Sequence, residues 1–205
     1  STLLGLAFKL KDPDNLLGKG TDLGITCALI PTNLPGVVVG NRHDPLGVPF
    51  HNGPTKGKDV VVPISSIIGD SEGAGNGWRM LMECLAAGRG ICLPATANAA
   101  SKVSTFGVFH YAMNRRQFNI PLIKMEGVQN KFADMLYNTW LIQSSIEMTN
   151  NILDQGNKPA VISAIMKQQT TDRAREVLNQ AMDILAGSAI CLGENNFLEK
   201  FYQSA

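Results

Sequence analysis

The chain has 205 residues, 44% of them apolar and 17% charged, and its 18 Lys and Arg against 17 Asp and Glu leave a formal net charge of +1. That balance, with basic residues scattered along the chain, excludes the clustered Lys and Arg of a nucleic-acid footprint. No run reaches the roughly 18 uninterrupted apolar residues that cross a bilayer, and the opening STLLGLAFKLKDPD lacks the pattern of a signal peptide. Cys27, Cys84, Cys92 and Cys191 form no C-x-x-C pair and have no His at metal-ligand spacing. They read as reduced, mostly buried thiols of an intracellular protein.

In chain order, LLGLAFKL is a β run closed by the turn signal KDPDNLLGKG. GITCALI is a second run, broken by PTNLPG, and GVVVG is a third. A long loop rich in Pro and Gly, NRHDPLGVPFHNGPTKG, leads to a fourth short strand in KDVVVP. Residues 1–70 therefore predict part of a small antiparallel β domain. Beyond EGAGNGW the period becomes helical. A first helix is expected from Asn76 or Gly77 to about Met113, kinked or split at Pro94, which removes a backbone donor. A second starts near Met125, with Val128, Phe132, Met135 and Leu136 on one stripe, and continues through Trp140 and Ile146 to DQGNKP. A third opens at Pro159 and keeps Val161, Ile165, Ala174, Val177, Leu178, Ala181 and Leu185 on one side. NFLEKFYQ starts a fourth. The fold class is α+β: a small antiparallel β domain followed by an antiparallel four-helix bundle over residues 71–205. The chain opens inside an apolar run and stops without a terminating signal, the expectation for a piece of a longer protein.

Candidate chemistry is sparse. EGAGNGW opens a helix, but G-x-G-x-x-G fails at Trp78 and the P-loop lysine is missing, so a flexible helix entry is the plainer reading. His43, His51 and His110 meet no G-x-S-x-G elbow. Asp134, Glu147 and Asp154 read as solvated acids. Asp183 differs: an acid near a helix C-terminus is unfavourable, so it calls for a specific partner unless it is plainly exposed. Arg89, among small residues in AAGRGI, either snorkels to water or pairs with an acid or anion. In NRRQF, Arg115 and Arg116 point about 100° apart on a helix and cannot share one role. They are either cations suited to a helix end or, for one of them, an anion ligand with an aromatic nearby.

Several segments then fall into one order: KDVVVP, GNGW, a helix carrying GRG, RRQF, FADM and DILAGSAICLG. This order resembles the acyl-CoA dehydrogenase family over essentially the whole chain, and PFHNGPTKGKDV, ECLAAGRGI and KPAVISAI look closest to its long bacterial members of fatty-acid β-oxidation. The resemblance implies an FAD-dependent enzyme that abstracts an α-proton from a fatty acyl-CoA and passes the β-hydrogen to the flavin as hydride, giving the trans-2-enoyl-CoA. A related acyl-CoA oxidase, or a non-catalytic helical oligomerisation module, are the rival readings. It implies that Arg115, Gln117 and Phe118 contact FAD across a dimer, that the stretch from Asp183 to Gly187 is a second FAD segment, and that Arg89 stands beside the catalytic loop. It places the catalytic base in a Glu-Gly loop just after Ala205, so this chain alone is expected to be inactive and to hold FAD weakly. Fatty acyl-CoA, an electron-transfer acceptor and a second copy of the chain are the implied partners. A cytoplasmic location follows, with peripheral association at the inner membrane as its variant. The sequence departs from the family at Asp183, where glutamine is usual, and at Asn119, Ala186 and Ala189, where glycine is usual.

Overall fold

The computed structural model describes residues 2–47, 51–157 and 159–204. The chain divides into two compact units, Ser1–Cys84 and Leu85–Ala205.

In the first unit, β1 (Leu3–Lys11) and β2 (Asp22–Pro31) form an antiparallel hairpin whose register shifts between Leu10 and Lys11, bringing Lys11 opposite Asp22. Lys11 Nζ lies 2.7 Å from Asp22 Oδ2. That hydrogen bond, with a second from the Gly24 N–H, holds the Asp22 carboxyl below its ordinary value. The Asp12 carboxylate closes the turn by accepting from the N–H groups of Leu16 and Leu17 at 3.0 and 2.8 Å. A second hairpin pairs β3 (Val37–Val39) with β4 (Thr55–Gly57). The fourth strand is thus earlier than KDVVVP predicts. Asp59, at φ 53°, ends the extended run, and Val61 is 89% exposed. Of the predicted loop before β4, Val48, Pro49 and Phe50 lie outside the described residues.

The unit extends past residue 70 because the next segment bonds to β2. The Ile68 N–H donates to the Cys27 carbonyl at 2.9 Å, and the Gly75 N–H to Thr26 Oγ1 at 3.0 Å. Between them runs α1 (Asp70–Gly73), and α2 (Gly77–Ala87) follows. A Cβ on Gly73 would sit 1.9 Å from the Ile68 carbonyl oxygen, and one on Gly77 2.8 Å from that of Ile25. The glycines of EGAGNGW therefore mark close backbone packing, not a flexible helix entry.

In the second unit the expected first long helix is split. A π-helical segment (Gly88–Cys92) precedes α3 (Leu93–Asn114), and Pro94 sits in the first turn of α3, where its missing N–H costs no helical bond. Then come α4 (Glu126–Asp154), α5 (Ala160–Leu185), the short α6 (Gly187–Ile190) and α7 (Glu199–Ser204). Helices α3, α4 and α5 pack on one another, and the short α7 stands where the sequence predicts the start of a fourth. The main core joins Val108 and Ala112 of α3, Phe132 and Met135 of α4, and Val177, Leu178, Ala181 and Leu185 of α5. Not every apolar position expected on the stripes turns inward: Leu136, Trp140, Val161 and Ile165 are exposed. The cysteines also differ from expectation: Cys27 is buried, whereas Cys84, Cys92 and Cys191 are exposed and free. Among the described residues no helix is long and apolar enough to cross a membrane, and no His, Cys, Asp and Glu cluster could hold a metal ion.

Candidate functional site

Arg115 ends α3. Its N–H donates to the Tyr111 carbonyl at 2.8 Å, but its own φ and ψ of −71° and 126° turn the chain out of the helix. Two short strands follow, β5 (Arg116–Gln117) and β6 (Ile120–Pro121). They are joined by Phe118 and Asn119 at φ 51° and 65°, the two-residue hairpin turn with both central residues left-handed. Asparagine tolerates that region; phenylalanine rarely adopts it. The turn projects the Phe118 ring outward at 88% exposure. It also separates the two arginines. The Arg116 guanidinium donates to the Asn119 carbonyl within the turn, whereas Arg115 lines a cavity of about 950 Å³.

Three further segments wall this cavity. Met125, Gly127 and Val128 bring the first turn of α4, where the N–H groups of Glu126 and Gly127 find no acceptor among the described residues. That turn is the positive end of a helix of 29 residues. The last turn of α5 brings Asp183, and the chain leaves that helix at Ala186 with φ 50° and ψ −128°. Residues Cys191 to Asn196 form the remaining wall. Asn196 fixes it: its Nδ2 donates to the carbonyls of Ala189 and Cys191 at 2.7 and 3.0 Å, and its Oδ1 accepts from the N–H groups of Leu198 and Glu199. Phe197 then packs against Gly107, where a Cβ would come within 2.6 Å of the ring.

Asp183 is exposed, one of the two readings its position allowed, and it also has a specific partner. Lys131 of α4 lies 2.8 Å from Asp183 Oδ2 and donates to Gln180 Oε1 at 2.8 Å. The charged groups lining the cavity are Arg115 and Lys131 against Asp183 and Glu194. With Asp183 paired, Arg115 lines the cavity with no ion pair among the described residues, beside helix N–H groups that find no acceptor among them. Such a set suits an anionic ligand with flat apolar parts.

Of the residues singled out in the sequence, Arg115, Gln117, Asp183 and Gly187 line this one cavity. Phe118 stands outside it. Arg89 also lies elsewhere, on the π-helical segment, with its Nε buried and without a partner among the described residues. Asp134, Glu147 and Asp154 are exposed, as expected. Sequence reasoning missed Lys131, the α4 N-terminus and the wall from Cys191 to Asn196. The signal for Lys131 was its place in NKFADM, but its partner lies 52 residues away.

Residues 75–205 match the family model described as "Acyl-CoA dehydrogenase, C-terminal domain". The chain belongs to the acyl-CoA dehydrogenase family. Among individual proteins, it is 60% identical over 96 residues to Protein HemX of Proteus mirabilis, covering 47% of this chain and 56% of that one. It is 30% identical over 170 residues to the human mitochondrial short-chain specific acyl-CoA dehydrogenase, covering 80% of this chain and 39% of the relative. The crystal structure of an acyl-CoA dehydrogenase from Geobacillus kaustophilus shares the fold with a TM-score of 0.81 at 21% identity, over 99% of this chain and 51% of that one. The chain thus spans between about two fifths and just over half of the length of these proteins.

Proposed function

We propose that this chain is part of an FAD-dependent acyl-CoA dehydrogenase that converts a fatty acyl-CoA to its trans-2-enoyl-CoA in bacterial fatty-acid β-oxidation. The observation that carries the reading is the cavity that gathers Arg115, Gln117, Asp183 and Gly187 from segments far apart in sequence. The donor set fits the diphosphate of FAD. A planar guanidinium, an amide and the free N–H groups at the start of α4 can hold two phosphates, while Lys131 neutralises Asp183, one of the two carboxylates that line the cavity. When bound, FAD supplies the hydride acceptor. The chain's own residues orient it: Arg115 and Gln117 from the hairpin, Gly187 and its neighbours from the end of α5. In this reading Phe118, exposed beyond the cavity rim, stands against the ring side of a flavin held by a neighbouring subunit. In the same reading Arg89, whose buried Nε has no partner among the described residues, stands beside the loop that carries the base. The cytoplasmic location, the electron-transfer acceptor and the dimer-based assembly come with the same reading.

The test is the intact protein that carries this chain. Purified, it is expected to be yellow and to reduce an artificial electron acceptor only when given acyl-CoA. Arg115→Ala should lose FAD affinity by about 10- to 100-fold, the cost of a charge-assisted contact. Flavin retained at the wild-type level by that variant refutes the role of Arg115; acyl-CoA-dependent peroxide formation in air with no dye reduction favours the oxidase reading.

A further inference from the structure

We propose that Lys131 and Asp183 act as one unit in this cavity, with Lys131 a cofactor-positioning residue that neutralises Asp183 and keeps one N–H for the bound anion. The inference rests on the FAD reading above.

Asp183 occupies the last turn of α5, where the helix's carbonyl end already concentrates negative potential. A bare carboxylate there, facing a diphosphate, would oppose binding. Gln180 and Asp183 lie three residues apart on one face of α5, and both accept from the Lys131 ammonium at 2.8 Å. An ammonium has three N–H donors, so one remains for an acceptor in the cavity, which Lys131 lines. Asp183 Oδ1 accepts no hydrogen bond among the described residues, which leaves it open to a hydroxyl. A neutral glutamine at 183 could bind a ligand without a counter-ion. An aspartate needs Lys131, and the pair together then supplies the donor and the acceptor that a glutamine amide supplies by itself. The two side chains are 37% and 63% exposed, so their attraction contributes little to folding and their removal reports on binding.

The measurement is the FAD dissociation constant of the intact protein, stripped of flavin and titrated with FAD at low and high salt. Lys131→Met should weaken binding about 10- to 100-fold at low salt and less at high salt. Asp183→Gln alone should bind at least as tightly as wild type, and Lys131→Met with Asp183→Gln should recover most of the loss seen in Lys131→Met, stopping short of Asp183→Gln by the one N–H contact, because the repelling charge has gone. The rescue separates neutralisation from a purely structural role, which would leave the double variant as weak as Lys131→Met. Wild-type affinity in Lys131→Met, or no rescue, overturns the proposal while the FAD reading stands. A wild-type protein that takes up no FAD overturns both. Should Lys131→Met melt early, Lys131→Gln takes its place with the same expectations.

Discussion

Ala186 holds the turn at the end of α5 in a conformation suited to glycine. Its φ of 50° and ψ of −128° lie where a Cβ crowds the backbone, at a cost of about 1–3 kcal/mol. The resembled family usually has glycine there, so the strain belongs to this chain. Ala186→Gly should raise stability by about 1 kcal/mol, the relieved strain less the extra freedom of a glycine in the unfolded chain. The reading is a higher denaturant midpoint with an unchanged slope. A lower midpoint would mean that the Ala186 methyl makes contacts worth more than the strain. Asn119 departs from the same pattern without such a cost, because asparagine tolerates its φ of 65°.

At the scale of elements, glycine acts differently. Gly73 lies at the end of α1, and the Ile68 carbonyl oxygen fills the space a Cβ would need, at 1.9 Å. Neither backbone can yield without disturbing the bond from the Ile68 N–H to Cys27 of β2. Gly73→Ala should therefore destabilise the first unit by about 2–3 kcal/mol. Hydrogen exchange should locate the loss in β1, β2 and α1, with α3 to α5 less affected; protection left unchanged in the first unit would refute the packing argument. This example also marks what the sequence could convey. The helices were legible because their apolar periods are long, and the split at Pro94 because proline's chemistry is local. The role of EGAGNGW was not, since glycine for flexibility and glycine for close approach look alike until the facing backbone is known. The same holds for Lys131 and Phe118: one needs a partner on another helix, the other a turn whose left-handed residues no local propensity demands. Asp183 stood out by its place near a helix C-terminus, whereas Gln117 and Gly187 were singled out only by the order of several weak motifs, and nothing local distinguishes Arg115 from Arg116.

At the scale of the whole molecule, the second unit has apolar faces that it does not cover itself. Phe106 on α3 is 68% exposed, and Leu136, Tyr137 and Trp140 on α4 are 58%, 59% and 66% exposed. Large apolar side chains gathered on exposed helices are the usual mark of an interface. The proposed function adds a constraint, because it has Arg115 and Phe118 serve a flavin held mainly by another subunit. Flavin retention must then depend on assembly. Sedimentation of the intact holoprotein across a dilution series, followed at both protein and flavin absorbance, should show the flavin-to-protein ratio falling as the assembly dissociates. Trp140→Glu should move both changes to higher protein concentration together, because a buried charge at an interface is costly. Arg115→Ala should lower flavin occupancy while leaving the dissociation concentration in place, because that side chain acts on the ligand and not on the helix faces. A ratio that stays constant through dissociation would mean that each chain completes its own site, and the trans assignment of Arg115 and Phe118 would fall.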